Sequence, residues 1–229
     1  TLNSAELDET MILAEKKGLV MAEAMTIYHM PLYKKLREIL DAGTLGKVNL
    51  LTMNFGSFKE YDENNRFFNR NLAGGAMLDI GVYALSFVRW FLDSKPDQLL
   101  SQVRTASTGV DEQSGLLLTN QEGQMATVML SLHSKQPKRG MISCERGYIE
   151  IMEYPRAGEA KVTYTDTGKT EIIEAGDNAD ALYYEVLDME HAIISGDVSA
   201  MQLGFSKDVM DLMTAFRKEW GVSYPEEER

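Results

Sequence analysis

Cysteine and positive charge are both scarce in this sequence. Cys144 is the only cysteine among 229 residues, which excludes an internal disulfide and a cysteine-rich zinc site. A chain with a single thiol fits a reducing compartment, and we expect a cytoplasmic protein. Lys and Arg total 23 against 35 Asp and Glu, so the formal net charge is -12. Because such an acidic surface repels phosphate backbones and anionic lipids, we expect neither nucleic acid nor membrane as a partner.

The chain also lacks the motifs that hold nucleotide phosphates and metal ions. No G-x-G-x-x-G or G-x-x-x-x-G-K-[ST] occurs, so the sequence contains no recognisable phosphate cradle. No H-x-H, H-E-x-x-H or C-x-x-C occurs, and His29, His133 and His191 are far apart in unlike contexts. We therefore expect no metal site. The most apolar stretch, residues 76–92, is short for a membrane span and carries two charges, which indicates a buried helix.

Helix and strand signals follow one another along the chain. Asn3 or Ser4 begins a predicted helix that ends before Gly18, and the apolar run 19–22 follows as a predicted buried strand. Apolar periodicity predicts further helices over residues 31–43, 77–92, 181–195 and 201–220. Turn residues separate short runs that predict strands over residues 48–58, 99–104, 115–119, 125–132, 139–144, 148–152, 160–164 and 170–173. These features predict an α+β fold: a mostly antiparallel, open-faced sheet with helices on one face, preceded by a helix–strand piece of an α/β unit.

The apolar segment 72–83 contains one carboxylate, Asp79, and ends at Tyr83. An isolated buried carboxylate is costly, so Asp79 must have a partner or face a cleft. Residues four positions apart lie on the same face of a helix, which makes this carboxylate and phenol a candidate proton-handling pair. In the structural alternative, Asp79 caps backbone amides beside Gly74 and Gly75, and Tyr83 belongs to the core. Spacing alone favours the structural alternative.

Three linked motifs occur in order along the chain. Residues 31–48 contain Lys-Leu-Arg-Glu and then Leu-Gly-Lys-Val, residues 66–69 read Arg-Phe-Phe-Asn, and residues 71–83 carry the glycine pair, Asp79 and Tyr83. In this order they resemble the family of glucose–fructose oxidoreductase, inositol dehydrogenase and the rhizopine-catabolism proteins (Gfo/Idh/MocA). Residues 4–23 resemble the helix and strand of that family that end in a glutamate, here Glu23. The similarity spans nearly the whole chain.

The resemblance implies two domains and a nicotinamide cofactor. In that family a Rossmann domain binds NAD or NADP, and a second domain with an open antiparallel sheet binds substrate and mediates oligomers. On this basis residues 1–23 are the end of a nucleotide-binding domain, and residues 24–229 are an α+β substrate-binding and oligomerisation domain. The implied partners are a small-molecule substrate and further copies of the chain, which would associate through the sheet face.

The resemblance also implies roles for individual residues. It suggests catalytic roles for Asp79 and Tyr83, substrate binding by Tyr28, His29 and Arg66, and cofactor binding by Glu23. Tyr83 would act as a base only if a cation lowered its pKa, and the family's lysine, absent here, would be that cation, held by Asp79. Tyr83 stands where histidine is commoner, and Tyr28 stands where many relatives have arginine, which leaves the substrate open.

Two functional hypotheses follow. The favoured one is the C-terminal substrate-binding domain of an NAD(P)-dependent oxidoreductase that acts by hydride transfer on a sugar, polyol or related cyclic alcohol. The alternative is a non-catalytic oligomerisation or sugar-binding module of the same fold. Because a phosphate cradle is absent, we expect this chain alone to be inactive and to bind no nicotinamide dinucleotide tightly.

Overall fold

An eight-stranded sheet forms the centre of the protein in a computed structural model that describes residues 1–228. Its strands are β1 (Val48–Gly56), β2 (Gln98–Thr105), β3 (Asp111–Thr119), β4 (Met125–Ser131), β5 (Arg139–Cys144), β6 (Gly147–Met152), β7 (Glu159–Tyr164) and β8 (Thr170–Glu174). They lie in the order β2-β3-β4-β1-β5-β6-β7-β8, and β1 and β4 run parallel while the other neighbouring pairs are antiparallel. The α+β prediction is confirmed, as is every strand predicted after residue 98.

The helices begin and end close to the predicted residues. They are α1 (Ser4–Lys17), α2 (Thr26–His29), α3 (Pro31–Asp41), α4 (Val82–Phe91), α5 (Ala181–Ser195) and α6 (Leu203–Trp220). The Asn3 side chain accepts a hydrogen bond from the amide of Glu6 at the start of α1, and Gly18 ends this helix in the left-handed region, with φ 64°. The short helix α2 was not predicted, because four residues are too few to show a helical period.

One face of the sheet is covered and the other is open. In β4, alternate residues from Ala126 to Leu130 are buried, whereas Met125 and Met129 are exposed. Helix α4 lies over the buried face, and α6 packs against α4. This arrangement follows from the period of two along each strand, which gives every strand one apolar side.

The apolar segment in the middle of the chain is a core helix. By length and composition, Arg70–Phe91 is long and apolar enough to cross a membrane. In the structure most of this segment is buried, and Phe87 and Phe91 pack against Tyr33 of α3. The helix predicted over residues 77–92 is confirmed, although it begins with a π-helical turn, Met77–Gly81, before α4.

The predicted strand over residues 19–22 is wrong. Within residues 1–228 this segment pairs with no strand, and the side chain of Leu19 is 65% exposed. A strand needs a neighbour that pairs its backbone amides and carbonyls, and local apolarity does not supply one. The first strand of the sheet also ends earlier than residue 58, at Gly56.

Helix α1 packs directly against α6. The amide of Ser4 donates to Thr214 Oγ1 at 3.1 Å, and Lys207 Nζ lies 3.3 Å from Asp8 Oδ1. The first helix therefore shares an interface with the rest of the chain. The domain boundary at residue 23 stays a prediction.

A tight glycine turn precedes the π-helical turn. Gly75 has a φ of 121°, and a Cβ at this position would lie 2.3 Å from Asp111 Oδ1. A Cβ on Gly74 would lie 2.8 Å from the carbonyl oxygen of Arg66. Both positions therefore require glycine, because the backbone here approaches β3 and the preceding loop too closely for any side chain.

Replacing Gly75 by alanine should destabilise the protein more than replacing Gly109. Gly109 has a φ of 86°, but nothing lies within 4 Å of the point where its Cβ would stand. We expect Gly109→Ala to lower the free energy of unfolding by about 1 kcal/mol through backbone strain alone, and Gly75→Ala by more than about 2 kcal/mol. Chemical denaturation of both variants measures the difference. Equal losses would contradict the close approach of Gly75 and Asp111.

Candidate active site

The π-helical turn Met77–Gly81 presents the two residues of the candidate pair. The amide of Val82 donates to the carbonyl oxygen of Met77, five residues earlier, which is the hydrogen bond of a π-helix. Asp79 lies within this turn, and Tyr83 lies in the first turn of α4. Single π-helical turns are frequent at functional sites, so the local geometry marks this end of the helix.

Arg66 is the ionic partner of Asp79. Arg66 Nη2 lies 2.8 Å from Asp79 Oδ1, and the guanidinium lies over the Phe67 ring, 4.3 Å from its centre. The side chain of Asp79 is 20% exposed, whereas that of Arg66 is 66% exposed. Asp79 therefore has the partner that a poorly solvated carboxylate requires, and two of the predicted site residues are in contact.

Asp79 and Tyr83 line the same cavity, whose volume is about 450 Å³. Cavities of roughly 300–1,000 Å³ are typical of small-molecule sites. Phe55 of β1 lies against Tyr83, with ring centres 6.3 Å apart. The remaining wall consists of Ser57, Ile80, Lys135, Lys138, Glu153, Pro155, Arg156 and Asn178. A carboxylate, a phenol and several cations around one cavity can exchange protons with a bound hydroxyl group.

The other predicted site residues lie outside this cavity wall. Tyr28 is buried, its ring stacks on Trp90 with centres 5.7 Å apart, and burial raises the pKa of its phenol well above the ordinary value. His29 is also buried, and its Nδ1 lies 2.8 Å from Asp188 Oδ2. Glu23 is exposed. The structure does not bring these three residues to Asp79 and Tyr83, and their binding roles stay predictions.

Asp111 is a structural partner of the site that sequence reasoning missed. Its side chain is fully buried at the start of β3, and its Oδ2 accepts a hydrogen bond from the amide of Met77 at 2.6 Å. The hydroxyl of Tyr224 donates to the carbonyl oxygen of Gly74 at 2.7 Å. The carboxylate that caps the glycine turn is thus Asp111, and Asp79 is left to pair with Arg66. No local pattern distinguishes Asp111, because its partner is distant in sequence.

The comparison with known families agrees with the motifs. The family model of the GFO/IDH/MocA C-terminal domain matches residues 33–150, more than half of the chain. The chain belongs to the Gfo/Idh/MocA family. The matched region contains Arg66, Asp79 and Tyr83, and the predicted family membership is confirmed.

Curated relatives of the chain are dehydrogenases. It is 25% identical over 235 residues to the trans-1,2-dihydrobenzene-1,2-diol dehydrogenase of Mus musculus, covering 100% of this chain and 70% of that protein. The enzyme of the same name from Sus scrofa is 26% identical over 236 residues, covering 99% of this chain and 70% of that protein. The chain therefore has the sequence of an oxidoreductase family.

Solved structures of the family share the fold. A 3-ketoreductase from Actinomadura kijaniata, in complex with NADP and TDP-benzene, superposes with a TM-score of 0.82 at 18% identity, covering 95% of this chain and 68% of that one. An aldose-aldose oxidoreductase from Caulobacter crescentus superposes with a TM-score of 0.81 at 18% identity, covering 100% of this chain and 68% of that one. These likenesses confirm the predicted architecture.

The stability of the protein should depend on pH through Asp111. Burial raises the pKa of its carboxyl from 3.8 to about 7, so the folded protein holds a proton there that the unfolded chain releases. The contribution of Asp111 to the free energy of unfolding therefore falls as the pH rises from about 3.8 to about 7, and it changes no further at higher pH. Asp111→Asn cannot titrate, so we expect the melting temperature of the wild type to drop by a few degrees more than that of the variant between pH 5 and 8.

Thermal unfolding of both proteins, followed by circular dichroism, measures this difference. Other titrating groups are common to the two proteins and cancel in the comparison. Parallel pH profiles would show that Asp111 has the same protonation state in the folded and the unfolded protein.

Proposed function

We propose that this chain is the substrate-binding part of an NAD(P)-dependent oxidoreductase that acts on a sugar, polyol or related cyclic alcohol. The observation that carries the proposal is the single cavity of about 450 Å³ that Asp79 and Tyr83 line together. The relatives named dihydrodiol dehydrogenases support the reaction class, and the 3-ketoreductase solved with NADP supports the cofactor. A cytoplasmic location is part of the proposal and rests on the lone thiol of Cys144.

The proposed chemistry assigns a proton to Tyr83. Oxidation of a secondary alcohol releases a hydroxyl proton, which a base beside the alcohol must take up. A free phenol has a pKa near ~10, so Tyr83 acts as this base only with a cation nearby that stabilises the phenolate. Lys135, Lys138 and Arg156 line the same cavity. Asp79 is paired with Arg66, and its carboxylate would orient a cation brought to the phenol.

The sequence contains neither of the two common motifs that bind dinucleotide phosphates. Neither a G-x-G-x-x-G loop nor a G-x-x-x-x-G-K-[ST] loop occurs in the sequence, and backbone amides of such loops are what hold a pyrophosphate. When bound, a nicotinamide dinucleotide would accept the hydride. The roles proposed for this chain are substrate binding and proton transfer.

The open face of the sheet supports a second proposed role, self-association. Met129 is 49% exposed, Met152 48% and Leu100 67%, on strands far apart in the sheet. Exposed apolar side chains spread over a sheet face are typical of an interface between protein chains. The same face would also serve the alternative function, a non-catalytic oligomerisation or sugar-binding module. Loss of turnover in the Tyr83 variant described below would favour the oxidoreductase over this alternative.

Tyr83→Phe should abolish most turnover without affecting folding. The substitution removes one hydroxyl and little volume, and general acid–base groups typically contribute about 10²–10⁴-fold. We expect the loss in kcat rather than KM, in a protein that joins this chain to its dinucleotide-binding region.

Asp79→Asn should lower activity and shift the pH profile. Tyr183→Phe, at an exposed position on α5, is the matched control and should leave turnover unchanged. Normal kcat in Tyr83→Phe across the pH range would remove Tyr83 from the mechanism.

Met129→Arg should dissociate the proposed oligomer. A charge placed at the centre of the open face is desolvated on association and leaves the folded subunit intact, because Met129 is already half exposed. Ile193→Arg, on α5 at a residue that is 63% exposed, is the control for an added charge elsewhere on the surface. Light scattering should give a smaller mass for Met129→Arg alone. A monomeric wild type at high protein concentration would contradict the proposal.

A further inference from the structure

Three cationic side chains line the cavity that Asp79 and Tyr83 also line. Lys135 and Lys138 belong to the loop between β4 and β5, and Arg156 ends the short helix Tyr154–Arg156 between β6 and β7. They occur in a chain whose formal net charge is -12. Three cations against two acids, Asp79 and Glu153, give the lining an excess of positive charge, which attracts anionic ligands.

Among residues 1–228, two of the three cations have no acidic group within ion-pair distance. Lys138 Nζ lies 3.1 Å from Glu153 Oε2, and the other acid of the cavity, Asp79, is paired with Arg66. In the part of the chain that the structure describes, Lys135 and Arg156 form no ion pair within 4.0 Å.

Glu185 interacts electrostatically with Arg156. Burial raises the pKa of Glu185, and the positive charges of His29 and Arg156 oppose that rise. Lys135 and Arg156 therefore keep hydrogen-bond donors that an anion can use.

The backbone that carries Lys135 and Arg156 is held by hydrogen bonds to β1 and to α2. The amide of Gln136 donates to the carbonyl oxygen of Gly56 at 3.2 Å, so the residue after Lys135 is tied to the end of β1. The hydroxyl of Thr26 donates to the carbonyl oxygen of Pro155 at 2.5 Å, one residue before Arg156. The backbone positions from which the two cations extend are therefore set by the fold before a ligand binds.

We propose that Lys135 and Arg156 form an anion subsite, and that the substrate of the cavity is a sugar or cyclic alcohol with a carboxylate or phosphate group. This inference rests on the proposed function for the placement of the reacting hydroxyl beside Asp79 and Tyr83. A neutral polyol would leave both cations without a counter-charge. An anionic substituent binds to them through charge-assisted hydrogen bonds and thereby fixes the orientation of the ring in the cavity.

Calorimetry on the unmodified chain tests the subsite without any need for activity. The probes are glucuronate and glucose 6-phosphate as the two anionic forms, glucose as the neutral match, and 2′,5′-ADP as a fragment of a dinucleotide. We expect one or both anionic sugars to bind at least about tenfold more tightly than glucose, with an affinity that falls as salt is added. Which of the two binds identifies carboxylate or phosphate as the recognised group.

Variants assign the binding to particular residues. Lys135→Gln and Arg156→Gln should each weaken binding of the anionic sugar about tenfold, since each removes charge-assisted hydrogen bonds. Glu153→Gln should strengthen it, because Lys138 loses its competing partner. Lys169→Gln, in the turn between β7 and β8, is the control for loss of one positive charge and should change nothing.

Three results would overturn the proposal: equal binding of glucose and both anionic sugars, no effect of Lys135→Gln or Arg156→Gln, or binding of 2′,5′-ADP alone. Binding of 2′,5′-ADP alone would mean that Lys135 and Arg156 bind a dinucleotide and not the substrate. Anion binding by the chain together with normal turnover in Tyr83→Phe would keep the subsite and reject the proposed catalytic role, so the two proposals fail separately.

Discussion

The hydrogen bond from the amide of Met77 to the buried carboxylate of Asp111 determines where the central helix begins. This contact joins β3 to the glycine turn, and the turn can approach β3 only because Gly75 has no side chain. The first amides of a helix have no partner within the helix, and here a buried side chain from the sheet supplies one. This hydrogen bond therefore helps to position both Asp79 and Tyr83, since the two residues follow Met77 along the same helix.

The single parallel pair of strands explains why the cavity lies where it does. Because β1 and β4 run in the same direction, the loops that follow them leave the sheet at the same edge. The amide of Ser57 donates to the carbonyl oxygen of Ser131, and that of Lys59 to the carbonyl oxygen of Leu132, so these loops start side by side. One loop continues to Arg66 and the other to Lys135. An entirely antiparallel sheet would have sent the two segments to opposite edges.

Local signals in the sequence were sufficient for most elements. Helix α1 follows from the Asn3 cap and the Gly18 stop, and the strands from β2 to β8 follow from short apolar runs between turn residues. Family resemblance and the spacing of Asp79 and Tyr83 predicted a shared site, and the structure places both in one cavity wall.

Features that depend on distant partners were not accessible in the same way. Met77 and Asp111 are 34 residues apart, and nothing near either residue indicates the other. The run 19–22 has the composition of a strand but no partner among residues 1–228, so composition alone misled the prediction. Tyr28 could be aligned with a family position, yet its burial against Trp90 depends on the packing of α2 on α4.

The π-helical turn makes the site sensitive to the number of residues in the helix. An α-helix advances by about 100° per residue, so a single deletion between Met77 and Gly81 would rotate the segment before it relative to α4 by about that angle. Both parts would remain helical and apolar, but the glycine turn and the amide of Met77, which donates to Asp111, would be rotated relative to α4. Conservative substitutions in this turn keep the orientation of the preceding segment relative to α4, whereas a one-residue insertion or deletion changes it. The length of this segment is therefore constrained more tightly than its composition.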